Sequence, residues 1–404
     1  MSLVLTDAAR GRPWPLLAYA FRPFFLLAAA YAPLALLPWV GGMLHRVSLP
    51  MGMPLMAWHG HEMLFGFVLA ALAGFLLTAV PSWAGVAPIA GRRLAGLVAL
   101  WLAGRVTVWL SGSLPALVVA GVNLAFVAVL LAWALPALLR GEGRRHLSLG
   151  GLLLLYGLSQ LAFYLAWLGW LPGRLGMLAV LNLAANLLLV MIAVSVTRIV
   201  RVVAMAALKE SGRAGPPRLT PAREHLAVAV LCLFVVADLL APGHPVTGWV
   251  ALAAAAAQAD RLSEWPWGRA MGRLYLLLLT LAYVWLTLGL ALVGLTALLE
   301  SWPAYAGRHA LFVGAIGTAV LAVFCIAGLR HTGRPLLLPR AIWPALGCLV
   351  LGGALRVGVP LAWPQHYLLL GMLAPALLWL AAFWLYLLGY ARYLVTARPD
   401  GLPG

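Results

Sequence analysis

His59-Gly60-His61-Glu62 opens a long apolar segment, Met63 to Val80. Two imidazoles and a carboxylate are costly at a membrane boundary, where polar groups lose their water. Imidazole is also the commonest side-chain ligand for redox metals and for haem iron. Metal-based chemistry is therefore the first expectation. On an ideal helix His59 and His61 point roughly 200° apart, while His59 and Glu62 share a face. If residue 59 is already helical, the two imidazoles serve different partners. If the helix begins only at Gly60, both can converge on one metal.

Three further groups carry chemistry. His309 opens another apolar stretch and precedes Gly314, Ala315, Gly317, Thr318 and Ala319. Small residues admit a flat macrocycle, or equally a packed helix. Met43, His45, Met51, Met53 and Met56 crowd one loop. Thioether and imidazole donors suit copper(I); the same methionines could also be plain apolar surface. His331-Thr332-Gly333-Arg334-Pro335 closes the His309 stretch. About 33 Å of helix separates His309 from His331, so one cofactor cannot use both. His331 with Arg334 suits a haem propionate, a phosphate or a quinol head group, or simply a helix end. No Cys-x-x-Cys-His is present, so any haem would be b-type. Cys232, Cys325 and Cys348 read as small buried hydrophobes.

These residues need a membrane scaffold. The 404-residue chain is 64% hydrophobic and 9% charged, with a mean hydropathy of +1.01. A soluble domain cannot carry that much apolar surface, so the fold class is an all-α polytopic membrane protein. At roughly 20 residues per crossing it holds about 12 transmembrane helices. They fall near 18–40, 57–80, 94–111, 114–139, 148–171, 175–205, 224–241, 246–260, 271–299, 309–329, 341–360 and 366–391. The 246–260 stretch is the weakest, because its apolar run is short. The chain reads as one helical domain, 1–404, whose longest polar connection is 209–223, with Gly215-Pro216-Pro217.

A net charge of +17 would suggest nucleic acid in a soluble protein. Here the arginines act as topological signals instead. Fifteen Lys or Arg residues lie in loops after even-numbered spans, against only Arg46, Arg174 and Arg308 after odd-numbered ones. Both termini are therefore expected to be cytoplasmic. Residues 1–16 are too polar for a signal-peptide core. Arg22 reads either as the partner of a carboxylate or as a side chain snorkelling to the inner interface, and Arg198 and Arg201 as snorkelling on the same side. Glu62 and Asp238 are nearly the only acids within spans, which counts against a proton-coupled transporter. A weak internal echo joins His61-Glu-Met-Leu-Phe-Gly-Phe to His309-Ala-Leu-Phe-Val-Gly-Ala.

Several motifs occur together and in order: Phe21-Arg-Pro-Phe-Phe-Leu-Leu27, Trp58-His-Gly-His-Glu-Met-Leu-Phe-Gly-Phe67 and Gly74-Phe-Leu-Leu-Thr-Ala-Val-Pro-Ser-Trp83, then the His309–Thr318 and His331–Leu336 stretches. The chain thereby resembles the NnrS family of haem- and copper-containing membrane proteins. The resemblance implies a bacterial inner (cytoplasmic) membrane protein linked to nitric oxide and nitrosative stress. It fixes no reaction. The chain departs from the family pattern at Val196–Met205, which keeps only the first arginine, and at Phe324-Cys325-Ile326-Ala327. Both departures lie on the expected cytoplasmic side. A looser likeness is to the main subunit of haem-copper oxidases, which takes haem ligands from its second and tenth spans. The paired histidines of that subunit's binuclear metal site are missing here.

The resulting expectation is a haem b held by His61 (or His59) and His309. Glu62 would accept the ligand's free N–H, and Gly314 and Gly317 would make room for the ring. Copper would sit at His45, Met51, Met53 and Met56. The expected partners are the lipid bilayer, nitric oxide or a related small molecule, and an electron donor of unknown identity. A haem-dependent redox reaction on nitric oxide is one use of such a site. The rival reading is a copper or small-molecule transporter or channel without haem.

Overall fold

The structure is a computed structural model and describes residues 6–7, 12–46, 50–210, 212, 220–299 and 302–402. Apolar runs in lipid must satisfy every backbone N–H and C=O internally, and the helix does so within one segment. Accordingly, each stretch expected to span lies on a helix. In chain order these are α1 (Phe21–Met43), α2 (Leu55–Ala84), α3 (Gly91–Trp109), α4 (Ala116–Leu138), α5 (Leu147–Trp167), α6 (Met177–Glu210), α7 (Pro221–Leu240), α8 (Pro245–Leu262), α9 (Leu274–Leu298), α10 (Ala304–His331), α11 (Ile342–Ala362) and α12 (Pro364–Val395). A two-residue antiparallel pair, Thr6–Asp7 with Arg12–Pro13, precedes them.

Nine of these helices are long and apolar enough to cross a membrane, among the described residues. The others are α3, α7 and α8. Charge explains the shortfall: α3 carries Arg92, Arg93 and Arg105, α7 carries Arg223, Glu224 and Asp238, and α8 ends in Asp260-Arg261. The 209–223 connection lies largely outside the described residues.

The chain forms two compact units. The first comprises Met1–Ala184, Val323–Pro339 and Tyr386–Gly404. In it α1 packs on α2, α2 on α4, α3 on α4 and α4 on α5. Its core is aromatic: Phe21, Phe24 and Phe25 are fully buried, and Phe25 stacks on Phe324 with ring centres 4.4 Å apart. Arg22 is also buried and donates through Nη1 to the carbonyls of Leu394 and Thr396, at 2.8 and 2.7 Å. These carbonyls belong to the last turn of α12 and its exit, where helical acceptors lack intrahelical partners. The second unit comprises Ala185–Ala322 and Arg340–Leu385. There α7, α8 and α9 pack in sequence, and α10 packs on both α9 and α11.

One local feature recurs. The α-helix gives way to a π-helical segment at Glu62–Val68, Ala310–Gly317 and Tyr367–Leu373. Each begins directly after a histidine: His61, His309 and His366. A π turn closes i→i+5 bonds and leaves a carbonyl free for another donor; such turns concentrate at functional sites. That use is visible here. Tyr156 donates to the Leu64 carbonyl at 2.7 Å, Trp101 to that of Gly66 at 3.1 Å, and Arg356 to that of Gly371 at 2.8 Å.

Candidate functional site

Residue 59 is already helical, since the first part of α2 runs Leu55–His61. The two imidazoles therefore diverge. His59 packs against Trp39, with ring centres 4.8 Å apart. His61 is completely buried and faces Phe163 and Tyr164, at 4.9 and 5.4 Å.

Glu62, also fully buried, anchors the first cluster. Its Oε1 lies 2.8 Å from His61 Nδ1 and accepts from Arg105 as well. Its Oε2 accepts the Tyr31 hydroxyl. Trp109 Nε1 in turn donates to that hydroxyl at 2.7 Å. Arg105 reaches onward to Asn123 Oδ1, and Asn123 is held by the Val119 carbonyl at 2.8 Å. Tyr164 places its hydroxyl 2.8 Å from His61 Nε2.

This geometry fixes the proton positions on His61. A carboxylate can only accept, so Nδ1 carries the hydrogen. In the neutral ring Nε2 is then the lone-pair nitrogen and accepts from Tyr164. The glycine at 66 is required here: an added Cβ would stand 2.7 Å from Arg105 Nη1 and 2.8 Å from the Tyr31 ring.

A second cluster lies in the other unit. His309 Nδ1 is 2.8 Å from the Tyr305 carbonyl, and Arg356 Nη2 is 3.2 Å from His309 Nε2. A carbonyl accepts and a guanidinium donates, so His309 holds the same tautomer as His61. Arg356, 7% exposed, also donates to the Tyr367 hydroxyl at 2.8 Å and lies over the Tyr367 ring. Nearby in sequence, Arg308 pairs with Asp238, which also receives Asn186 Nδ2 at 2.7 Å.

The remaining candidates are spread out. His45 is exposed and holds a left-handed backbone, φ 51°. Met53 is buried while Met56 is half exposed, so their thioethers meet different surroundings. His331 packs 5.6 Å from the Phe21 ring, whereas Arg334 lies 4.5 Å over Tyr393. Among the described residues, no three His, Cys, Asp or Glu side chains gather as a metal-holding group. Haem iron needs only one or two axial imidazoles, so this bears on other metals first.

The donors at His61 and His309 fit a metal in one respect. Each has Nδ1–H anchored on an oxygen and Nε2 as the basic nitrogen, the arrangement seen in most metal-ligating histidines. The expected ring cradle does not fit. An added Cβ at Gly314 would stand 2.4 Å from Trp285, and one at Gly317 would stand 2.7 Å from Trp379. Indoles already cover both glycines, so the small residues serve packing of this unit.

Reading the sequence missed Arg105, Arg356, Tyr31 and Tyr164. The signal was available for the two arginines: a guanidinium deep in an apolar span is expensive and calls for a buried acceptor. Nothing comparable marks the tyrosines.

A search of curated proteins finds no relative that matches the chain. Residues 15–398, nearly the whole chain, match the model of the NnrS protein family, and with its motifs now placed on this helical scaffold the chain belongs to that family.

Proposed function

We propose that this chain is a multi-pass protein of the bacterial inner membrane that binds haem b and copper and handles nitric oxide or its adducts. The observation that carries the reading is His61: an imidazole sealed from solvent, held by a buried carboxylate at Nδ1, with its lone pair at Nε2. The proposal includes twelve crossings, both termini in the cytoplasm and an architecture loosely like the haem-copper oxidase main subunit. The arginine distribution supports the topology.

In this reading His61 and His309 are imidazole ligands, each through Nε2. When bound, iron and copper supply the redox chemistry towards nitric oxide. The chain's own groups do the rest. Glu62 fixes the His61 tautomer and raises the basicity of its ring. Arg105 pairs with the Glu62 carboxylate in an apolar surround. Tyr164 and Arg356 must yield Nε2 of their histidines for a metal to bind there. Copper is assigned to His45, Met51, Met53 and Met56 on donor softness.

An absorption spectrum of the purified protein, with metal analysis, tests this directly. A Soret band with bound copper is expected. Copper without haem would favour the transporter reading. Consumption of nitric oxide by the reduced protein would separate an enzyme from a carrier or sensor.

A further inference from the structure

A cavity of about 200 Å³ opens in the first unit, some 20 residues of α2 away from His61. At 1.5 Å per residue that is about 30 Å, the thickness of a hydrocarbon core. The cavity thus belongs to the opposite end of the membrane-spanning helices and is separate from the imidazole cluster. Thr78 and Ser82 of α2 line it together with His331, the last residue of α10.

Its walls differ in character. Tyr19, Ser82, His331 and Arg398 form a polar side, and Val86 and Pro88 an apolar one. The cation is already satisfied. Arg398 grips Asp400 with two bonds, Nε to Oδ1 at 2.9 Å and Nη2 to Oδ2 at 2.6 Å, and its Nη1 donates to the His331 carbonyl at 3.2 Å. A free oxyanion would have to displace a bidentate carboxylate, which is among the strongest pairings a guanidinium makes. By contrast the His331 ring, which packs against Phe21, and the hydroxyl-bearing side chains of Tyr19 and Ser82 line the cavity as uncharged groups. The available groups are therefore neutral donors and acceptors facing an apolar wall. The volume is below the roughly 300 Å³ at which drug-sized sites begin, so it admits a head group and excludes a porphyrin.

The geometry points to a binding site for the head group of a quinone or quinol that reaches the cavity from the bilayer. One ring oxygen would bond the His331 imidazole, the other a hydroxyl of Tyr19 or Ser82, with Val86 and Pro88 against the ring face. The assignment is of binding, and it is independent of haem and copper.

Calorimetric titration of the purified full-length protein in detergent micelles with ubiquinone-1, a short-tailed quinone, tests it without using any metal signal. Saturable binding is expected. His331→Ala should weaken it at least ten-fold. Val86→Trp, at an exposed loop position, should fill the cavity and abolish it. Arg93→Gln, exposed on α3, should leave it unchanged. Melting curves confirm that each variant is folded. Should the variants not fold, a photoreactive azidoquinone on the wild-type protein should label residues 78–88. The proposal is overturned by absence of saturable binding, by a folded Val86→Trp protein that binds as wild type, by labelling confined elsewhere, or by competition from inorganic phosphate, which would assign the cavity to an oxyanion.

Discussion

Arg105 donates to the carboxylate of Glu62 across 43 residues of sequence, and both side chains are shielded from solvent. An ion pair in such surroundings adds little net stability when intact, because desolvation offsets attraction. Breaking it leaves a charge without its counterion. That asymmetry governs what substitutions at the site will do.

Glu62→Gln should lower stability by about 3 kcal/mol, since Arg105 then keeps its charge in an apolar surround. Arg105→Gln should cost a similar amount. The double variant should cost less than the two single ones combined. Thermal or denaturant unfolding in detergent measures this as a double-mutant cycle. Strict additivity would show that the pair is not coupled.

Gly66→Ala should destabilise by roughly 1–3 kcal/mol, because its Cβ overpacks the cluster against Arg105 and Tyr31. Gly121→Ala on α4 is the matched control. Nothing lies within 4 Å of the added methyl group there, and loss of a mid-helix glycine should give about 0.5–1 kcal/mol in the other direction. Equal melting temperatures for the two variants would refute the crowding argument.

His61→Ala and His309→Ala should each remove or greatly weaken the Soret band in folded protein, and Glu62→Gln should keep the haem but shift its spectrum. His331→Ala should retain it, lying about 33 Å along the helix from His309. Full haem occupancy in both His61→Ala and His309→Ala proteins would move the ligand assignment elsewhere.

Joint replacement of Met51, Met53 and Met56 by leucine should lower bound copper and leave haem in place. Elemental analysis of the purified protein reads this. Met53 is the packed one, so Met53→Ala alone should also cost stability, whereas Met56→Ala should not. Unchanged copper in the triple variant would reduce these methionines to apolar surface.

The arginine asymmetry sets a topological test. A fluorescent protein fused after Gly404 should fold and fluoresce, and alkaline phosphatase at the same point should stay inactive. An active phosphatase fusion would reverse the orientation.

Composition and hydropathy by themselves determined the membrane class and where the long helices fall, and the ordered motifs from Phe21 to Leu336 pointed to the family. Lipid removes the alternatives, since an apolar run of that length has only the helix in which to satisfy its backbone. The tetrad at His59–Glu62 was likewise legible, because such polarity at an apolar boundary needs a reason. Tertiary structure decided what surrounds it. The switch to a π turn after His61 lies within α2, while the partners Tyr31, Arg105 and Tyr164 come from three other helices. The tyrosines carry no local signal, and although a guanidinium deep in an apolar run calls for a buried acceptor, nothing near Arg105 in sequence says which one. The same holds at Gly314 and Gly317: small residues declare that something approaches closely, and only the packing of α9 and α12 reveals that tryptophans do. Local sequence governs backbone hydrogen bonding, which is short-range; a polar cluster assembled from distant segments depends on which helix faces meet, and that is settled by packing of the whole unit.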